Sequence, residues 1–376
     1  MAQKKKFRID LTILIPIIIL AIISVFTIKS AETILPGNPN YMNRQIVWYV
    51  IGLVIVITMM LIKNNTIFKF TWFLYWLFVL LLFLLLIFGH DINNAKRWFV
   101  IPRIGAFQPS EFMKIILIPV IGLMISSFRD KYNAPTVGQE FMFLLKVLII
   151  VFIPSILTLL QPDTGSIAIY MLITIVMLFI AGIRYRWFIL VFALIAAFIA
   201  ILLSIYFINI DLFIKLFGTD FFLRVDRLLD WSNSSGFQLE NSLVAIGSGG
   251  PFGVGHNMTP IYFPEPQTDF IFSVFSSNFG FFGSLGLIAL LLYLDLRLII
   301  LAINCNKPIN KYIISGIVAM LVYQQVQNIG MTFGLMPITG ITLPFVSYGG
   351  SSLMSYMIIL GIIFNISNEE TKTGLV

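Results

Sequence analysis

The sequence predicts an all-α integral membrane protein with about ten transmembrane helices and a large extracellular loop between the seventh and the eighth. Three observations predict this fold class. Of the 376 residues, 59% are hydrophobic and only 11% are charged, and the mean hydropathy is +0.97. Soluble domains carry about one quarter charged residues. The apolar residues also form runs of the roughly 17 to 25 residues that a membrane-spanning helix needs.

Ten apolar runs are predicted as spans. They are residues 11–28, 46–62, 71–88, 111–127, 142–159, 166–183, 187–208, 270–294, 312–333 and 348–366. The first follows the basic opening MAQKKKFRID and shows no small-residue cleavage pattern, so we expect an anchor that is retained rather than a signal peptide. With ten spans, both chain ends lie on one side of the membrane.

The basic residues predict which side is cytoplasmic. Those on the side of the chain ends are Lys4, Lys5, Lys6, Arg8, Lys63, Lys69, Arg129, Lys131, Arg184, Arg186, Lys307, Lys311 and Lys372. Lys and Arg concentrate in cytoplasmic loops, so both termini are predicted to be cytoplasmic. Membrane topology therefore explains the net charge of +7, and no basic stripe predicts nucleic-acid binding.

Two loops hold most of the basic residues of the opposite side. The first, residues 89–109, reads GHDINNAKRWFVIPRIGAFQP, and the second spans about 209–268. The start of the second mixes apolar and basic residues, which predicts a helix lying in the membrane interface. Its Gly-rich part, IGSGGPFGVGHNM, predicts irregular chain. Since no linker or shift in composition separates a soluble part, residues 1–376 are predicted to form a single domain.

Charged residues at membrane depth cost roughly 2.5 to 3.5 kcal/mol each, so each one invites a functional hypothesis. In QPSEFMK, Ser110 is a plausible N-cap, and Glu111 and Lys114 lie three residues apart on one helical face. The pair either neutralises itself for insertion or lines a polar cavity, and the sequence leaves both open. Asp163, in the turn QPDTGS, is expected mainly as a helix cap.

Two further stretches combine polar character with the edge of a span. ITGITLPFVSYGGSSLMS, residues 338–355, breaks an apolar region, which predicts non-helical chain at a polar cavity or, alternatively, an ordinary outer loop. FPEPQTDFIFSVF, residues 263–275, places Glu265 and Asp269 before the eighth span. On position alone, Asp269 is interpreted as an N-cap.

Cysteine and histidine patterns predict no metal site. Cys305 is the only cysteine, which excludes an intramolecular disulfide, and His90 and His256 are too far apart to suggest a zinc site.

Four stretches occur in the order typical of one known family. They are NNAKRWFVI with FQPSEFMK, LLQPDTGS, NSLVAIGSGGPFGVG with YFPEPQTDFIFSVF, and PITGITLPFVSYGGSS. In these stretches, which run from about residue 93 to 355, the chain resembles the SEDS family (shape, elongation, division and sporulation) of polytopic peptidoglycan polymerases.

The resemblance implies a peptidoglycan glycosyltransferase at the outer face of the bacterial cytoplasmic membrane. Such an enzyme joins the disaccharide units of lipid II, an undecaprenyl-pyrophosphate-linked substrate, into β-1,4-linked glycan strands beside a class B penicillin-binding protein. It implies Asp269 as the residue essential for polymerisation, and functional roles for Trp98, Glu111 and Lys114. An inverting transfer needs one base and no covalent intermediate, which makes Asp269 the candidate general base.

The candidate substrate-binding residues are Lys96, Arg97, Trp98, Glu111, Lys114 and Glu265. Lys96, Arg97 and Lys114 are expected to steady the departing pyrophosphate, where negative charge develops. Trp98 either packs on a sugar face or anchors the membrane interface. No metal ligand is assigned, and a divalent cation is left open as a cofactor.

The chain departs from the family at SSNFGF, where Ser277 and Asn278 replace a common acidic pair. The change weakens any claim that acidic residues there hold a metal or a second proton. Short termini and the stretch NRQIVWYVIG favour a RodA-like role in elongation and shape maintenance, with FtsW-like division and SpoVE-like sporulation roles open. Other classes of function are a flippase or transporter for the lipid-linked precursor and a non-catalytic scaffold that recruits the transpeptidase.

Overall fold

The computed structural model describes residues 9–37, 39–92, 95–101, 105–229 and 236–371. Its helices are α1 (Leu11–Thr33), α2 (Tyr41–Ile62), α3 (Asn64–Phe88), α4 (Pro109–Lys131), α5 (Val137–Leu159), α6 (Thr164–Ile180), α7 (Tyr185–Ile208), α8 (Ile210–Phe217), α9 (Thr219–Leu229), α10 (Phe237–Ser248), α11 (Ile271–Ile303), α12 (Pro308–Thr332) and α13 (Gly350–Thr371). Three short strands lie between α3 and α4: β1 (His90–Ile92), β2 (Ala95–Ile101) and β3 (Gly105–Phe107).

Each predicted span coincides with one long helix, namely α1 to α7, α11, α12 or α13, and the protein is a helical membrane protein. Within the described residues, eight helices are long and apolar enough to cross a membrane. Two of the predicted spans are not among them. Helix α6 has only 17 residues, and α12 carries several carboxamide side chains. The number of ten spans stays a prediction.

Both ends of the described chain meet at one end of the helix bundle, which we call the terminal face. The Ser367 hydroxyl lies 3.4 Å from the Asp10 carboxylate, and Arg297 Nε donates to the Thr12 hydroxyl over 2.9 Å. The other end of the bundle is called the distal face. Of the basic residues on the side of the chain ends, Lys4, Lys5, Lys6, Arg8 and Lys372 lie outside the described residues, as does Arg103 in the loop 89–109 of the opposite side.

The distal face carries a small antiparallel sheet, which the predicted all-α fold did not include. The strand order is β1-β2-β3, and Phe99 pairs with Phe107 across β2 and β3. The alternating, aromatic and β-branched stretch KRWFVI suits an extended strand. The sheet is held to α13 because the Ser351 hydroxyl contacts both the Ala106 carbonyl and the Gln108 amide.

The segment predicted as one long loop contains three short helices. Helix α8 is amphipathic, as the sequence predicts for an interface helix, and buries Phe213 against Tyr206 of α7. Gly218, with φ +85°, separates α8 from α9. Helix α10 was not predicted.

Helix α7 stands apart from the bundle. None of its residues, which the structure describes throughout, is buried. Its terminal-face end is held to α5, because Trp187 Nε1 donates to Glu140 over 3.1 Å and the Trp187 ring stacks on Phe141. The rest of α7 faces the surroundings of the bundle, which suits a helix in contact with lipid.

The Gly-rich stretch forms backbone hydrogen bonds with α11 where that helix is interrupted. Gly280 has φ +66° and ψ −163°, so the helical hydrogen-bond pattern stops there. The Val254 amide donates to the Ser277 carbonyl over 2.9 Å, and the Phe281 amide donates to the Gly250 carbonyl over 2.8 Å. A β-carbon on Gly253 would lie 2.1 Å from a backbone oxygen of α11. The stretch is therefore held against α11 by backbone hydrogen bonds. The sequence predicts irregular chain here but not this pairing.

The chain between α12 and α13 is non-helical and packed inside the bundle. The Ser24 hydroxyl donates to the Val346 carbonyl over 2.7 Å, and Asn328 Nδ2 donates to the Ile341 carbonyl over 2.8 Å. Ser24 lies nine residues before the distal end of α1, about 13 Å into the bundle at 1.5 Å per residue. Buried non-helical backbone at that depth needs such partners. The prediction of non-helical chain is confirmed, and its buried bonds inside the helix bundle do not fit an ordinary outer loop. The polar cavity stays a prediction.

Candidate functional site

Asp269 lies in the turn that leads into α11 on the distal face. The N-cap residue of α11 is Phe270, and no side chain among the described residues caps the helix. The interpretation of Asp269 as the N-cap is therefore wrong. Asn328 Nδ2 instead donates to the Asp269 backbone carbonyl over 2.8 Å. This bond ties the turn to α12 and leaves the carboxylate free of a capping role.

The Asp269 carboxylate is half-buried against the non-helical segment after α12. A β-carbon on Gly340, which has φ +73°, would lie 3.5 Å from Asp269 Oδ2. The pKa of Asp269 is raised to about 7, mainly by burial and also by the nearby Glu265 carboxylate, while Arg97 and the Thr268 side chain lower it in part. The carboxylate is thus poised to gain or lose a proton near neutral pH, as a general base requires.

Glu265 shapes the turn that presents Asp269. Its backbone has φ +55°, and its carbonyl accepts the Phe270 amide over 3.2 Å. Its carboxylate accepts Gln267 Nε2 over 3.0 Å and the Thr268 hydroxyl over 2.9 Å. The residue is exposed, so its side chain both fixes the turn and keeps a surface for a ligand.

Arg97 reaches the turn before α6 from strand β2. Its Nε donates to the Gln161 carbonyl over 3.2 Å, and its Nη2 donates to the Pro162 carbonyl. Successive side chains of a strand point to opposite faces, so Lys96 and Trp98 project away from this turn. Lys96 is exposed and Trp98 is half-buried. The structure thus brings Arg97, but neither of its two neighbours, to the turn before α6.

Asp163 caps α6 and also joins α6 to α4. Its carboxylate accepts the Ser166 amide over 3.3 Å and the Ser166 hydroxyl over 2.8 Å, which confirms the cap. It further accepts the Ser110 hydroxyl over 2.9 Å and Gln108 Nε2 over 3.2 Å. Ser110 was expected as the N-cap of α4, but that position belongs to Gln108, with Pro109 at the first helical position.

Glu111 and Lys114 form the predicted pair, with 2.6 Å between Lys114 Nζ and Glu111 Oε2. The Lys114 side chain is fully buried, whereas Glu111 keeps 13% of its side chain exposed. Lys114 Nζ also lies 5.0 Å from the centre of the Tyr356 ring. In this conformation Lys114 is enclosed by protein, and only Glu111 borders a solvent-accessible surface.

The non-helical segment connects the two charged centres. Gly340 lies beside Asp269, where a β-carbon on it would be 3.5 Å from Oδ2. Two residues later the Thr342 hydroxyl lies 3.2 Å from the Tyr356 hydroxyl, whose ring faces Lys114. Gln324 Nε2 donates to the same Tyr356 hydroxyl over 2.9 Å. Displacement of this segment would therefore change the surroundings of both Asp269 and Lys114.

Sequence reasoning missed Tyr356, Gln324 and Asn328. A signal for two of them was present, because the stretch YQQVQN places several carboxamides inside an apolar helix, where polar groups usually have a partner. Tyr356 carried no such signal, since tyrosine is unremarkable in a membrane helix.

The described residues contain no group of three or more His, Cys, Asp or Glu side chains that could hold a metal ion. Magnesium in enzymes is often held by only one or two carboxylates together with substrate phosphates, and a divalent cation as cofactor stays a prediction. Ser277 and Asn278 are buried at the break in α11, where their hydroxyl and amide groups lie near Ser248 and Thr259. Neutral polar side chains suit that buried place.

Comparisons with known proteins identify relatives along nearly the whole chain. The model of the FtsW, RodA and SpoVE family, described as cell cycle protein, matches residues 6–372. Stage V sporulation protein E of Bacillus subtilis is 31% identical over 96% of this chain and 98% of its own length. A probable peptidoglycan glycosyltransferase FtsW of Coxiella burnetii is 33% identical over 89% of this chain and 88% of its own length.

Two solved structures share the fold. A chain from a peptidoglycan synthase complex, described for its structural coordination of polymerization and crosslinking, superposes with a TM-score of 0.79 and 26% identity, covering 96% of this chain and 98% of that chain. The crystal structure of the rod shape determining protein RodA of Thermus thermophilus gives a TM-score of 0.70 and 26% identity over 97% of this chain and 98% of that chain.

Proposed function

The chain belongs to the FtsW, RodA and SpoVE family of cell cycle proteins, and we propose that it is a peptidoglycan glycosyltransferase that polymerises lipid II. Several of its relatives are named as probable enzymes of this kind. The observation that carries the proposal is the Asp269 carboxylate, which is half-buried on the distal face and has a pKa of about 7. A base for a sugar hydroxyl has to stand where a membrane-anchored substrate presents its head group.

The proposed reaction is an inverting transfer in one step. A hydroxyl of one sugar attacks the anomeric carbon of another, the new C–O bond forms, and the bond from that carbon to pyrophosphate breaks. The hydroxyl proton passes to Asp269, and the departing polyprenyl pyrophosphate keeps the bonding electron pair. One carboxylate suffices for this chemistry because no glycosyl-enzyme intermediate is formed.

Basic residues of β2 are proposed to stabilise the negative charge of the leaving pyrophosphate. Arg97 acts electrostatically on Asp269, and two of its N–H groups bond to backbone carbonyls that fix its guanidinium. The fixed cation stabilises the charge that develops on pyrophosphate. Lys96 is assigned a supporting role from the exposed face of β2, and Trp98 a contact with a sugar or the membrane interface.

Glu265, Glu111 and Lys114 complete the proposed substrate-binding set. The buried position of Lys114 favours an indirect part, in which the Glu111–Lys114 pair supports the segment that contacts Asp269. Glu111 is the member of the pair with an exposed edge and is the one expected to contact the substrate.

The orientation, partner and cellular role are part of the same proposal. The basic loops support a cytoplasmic terminal face, which puts Asp269 outside. The similarity to a chain of a peptidoglycan synthase complex supports a class B penicillin-binding protein as partner. A role in elongation and shape maintenance rests on the stretch NRQIVWYVIG. Complementation of strains depleted of their elongation, division or sporulation polymerase distinguishes the three roles.

The experiment compares glycan products from lipid II on a gel. The purified chain is assayed with and without a class B penicillin-binding protein, as wild type, Asp269→Asn and Asp211→Asn. Asp211 is a matched control because it is an exposed acid in the first turn of α8. We expect polymer from wild type and Asp211→Asn only.

The other outcomes are equally informative. Polymer from Asp269→Asn would remove this residue from the role of base. Absence of polymer from wild type, even with the partner present, would favour a scaffold or a transporter. Flipping of a labelled precursor that survives Asp269→Asn would favour the transporter.

A further inference from the structure

A cavity on the terminal face has no part in the proposed chemistry. Its volume is about 600 Å³, and it lies where the ends of α3, α4 and α5 meet. Its lining residues are Trp72, Leu123, Met124, Ser127, Phe128, Lys131, Tyr132, Thr136, Gly138, Gln139, Met142, Phe143 and Lys146. The cavity is thus far along the helices from Asp269, at the opposite end of the bundle.

One face of α5 forms a wall of this cavity. Gln139, Met142, Phe143 and Lys146 follow the spacing i, i+3, i+4, i+7, which places them on a single helical face. Lys146 lies nine residues after Val137, about 13 Å from the start of the helix. A lysine at that depth extends its ammonium group along the helix towards the membrane surface, and here that path runs along the cavity.

The cavity is positively charged. Its lining includes Lys131 and Lys146 and, among the described residues, no aspartate or glutamate. Neither lysine has a carboxylate within 4 Å in the part of the chain that the structure describes. Both side chains are exposed, so their charges are available to a ligand.

Nearby acids are engaged elsewhere. The Glu140 carboxylate accepts Trp187 Nε1 over 3.1 Å and lies 3.6 Å from Arg184 Nε, on the α7 side of α5. The Asp130 carboxylate lies 3.5 Å from the Ser126 hydroxyl on its own helix, and neither residue lines the cavity. The fold therefore separates these two acids from the two lysines.

We propose that this cavity binds the phosphate group of an anionic phospholipid from the leaflet at the terminal face. Lys131 and Lys146 contact the phosphate, and Ser127 and Gln139 supply hydrogen bonds. The first carbons of the acyl chains lie along Met142. Basic pockets between membrane helices on the cytoplasmic side are a recognised form of lipid site.

The lining favours a lipid over a soluble anion or an acidic peptide. Met142 is 52% exposed and Trp72 is 39% exposed, so the apolar wall continues onto the outer surface of the helices. A free phosphate gains nothing from this wall, whereas an acyl chain does. The polar and apolar parts of the cavity together match an amphipathic ligand that enters sideways from the bilayer.

Native mass spectrometry of the intact protein, released from detergent with added phosphatidylglycerol or phosphatidylcholine, tests the proposal. The wild type should retain phosphatidylglycerol in preference to phosphatidylcholine. The double variant Lys131→Gln, Lys146→Gln should bind phosphatidylglycerol about thirtyfold more weakly, from the contribution of two surface cations at an anionic membrane. Inorganic phosphate in millimolar excess should not compete, since it lacks acyl chains.

Two further variants control the experiment. Lys63→Gln with Lys311→Gln removes the same charge from exposed lysines outside the cavity and should leave binding unchanged. Lys131→Arg with Lys146→Arg keeps both charges and should keep binding, which shows that the two positions tolerate substitution when the charge is retained. Equal retention by the Gln double variant, equal loss in the control pair, or competition by inorganic phosphate would each overturn the proposal. The measurement does not depend on polymerase activity.

Discussion

The pH dependence of polymerisation is the sharpest consequence of the geometry around Asp269. A general base works only in its ionised form. Since the pKa of Asp269 is raised to about 7, the rate should rise with pH through neutrality rather than near pH 4, where an ordinary aspartate titrates.

The size of the effect follows from the pKa. With a pKa of about 7, roughly one tenth of the carboxyl groups are ionised at pH 6 and roughly nine tenths at pH 8. The initial rate should therefore differ by about tenfold between these two values, and each further unit below pH 6 should cost about another factor of ten. An unshifted aspartate would give a flat rate over the same range.

Two single substitutions should move the midpoint in opposite directions. Glu265→Gln removes a negative charge that raises the Asp269 pKa, so the rise in rate should shift to lower pH. Arg97→Gln removes a positive charge that lowers it, so the rise should shift to higher pH. Lys215→Gln, which changes an exposed charge on α8, should leave the midpoint unchanged because salt screens distant charges.

The assay measures initial rates of labelled glycan formation from lipid II between pH 5.5 and 9 at constant ionic strength. The shift of the midpoint is read separately from the plateau rate, since Arg97→Gln is also expected to lower the plateau through weaker binding of pyrophosphate. A flat profile between pH 6 and 8, or shifts of both variants in the same direction, would refute the assignment of Asp269 as the titrating base.

Three more predictions concern stability and are checked by thermal or denaturant unfolding in detergent. Folded Asp269 holds its proton up to about pH 7, whereas the unfolded carboxyl releases it near 3.8; the free energy of unfolding should therefore fall as pH rises across that window. Asp269→Asn should flatten this slope and be more stable than wild type at pH 8, and an unchanged slope would contradict the prediction. Lys114→Met leaves the Glu111 carboxylate without its partner and should cost about 3–5 kcal/mol, whereas adding Glu111→Gln should recover part of that loss; equal stability of wild type and the single variant would contradict the buried pair. Gly280→Ala puts a β-carbon 2.3 Å from the Gly253 amide nitrogen at φ +66° and should cost at least about 1–3 kcal/mol; Gly247→Ala, whose β-carbon meets nothing within 4 Å, is the matched control and should be neutral or stabilising.

The sequence was sufficient to predict the ten long helices because each lies over an apolar run, although it did not predict α10 or the ends of α2, α3 and α11. Charge spacing was equally informative for local pairs, since Glu111 and Lys114 lie one turn apart on the same helix. What the sequence could not predict was pairing between distant segments. The bonds of 250–254 to the break in α11 depend on backbone groups, which leave no side-chain signature.

The partners of polar residues inside the spans could not be predicted from the sequence either. Ser24 in α1 and Asn328 in α12 are separated by most of the chain, yet both donate to carbonyls of the non-helical segment after α12. In a bilayer, an unsatisfied carbonyl costs several kcal/mol. These side chains are therefore needed as hydrogen-bond donors to the carbonyls of the segment. Sequence reasoning assigned the segment to a polar cavity but had no means to find its partners.

The position of Asp269, the proposed base, follows from this arrangement. A carboxylate in the middle of a regular membrane helix would face either lipid or a neighbouring helix. Asp269 lies before the helix begins, held through its own carbonyl by Asn328, which also holds the segment that carries Gly340. The φ of +73° at Gly340 favours glycine, and a β-carbon there would lie 3.5 Å from Asp269 Oδ2, so the two non-helical segments lie side by side at the carboxylate. The burial that raises the Asp269 pKa and the backbone support that fixes its position thus have a common origin in α12. Its Asn328 side chain holds both segments, and this supports the proposed base without any contact to a substrate.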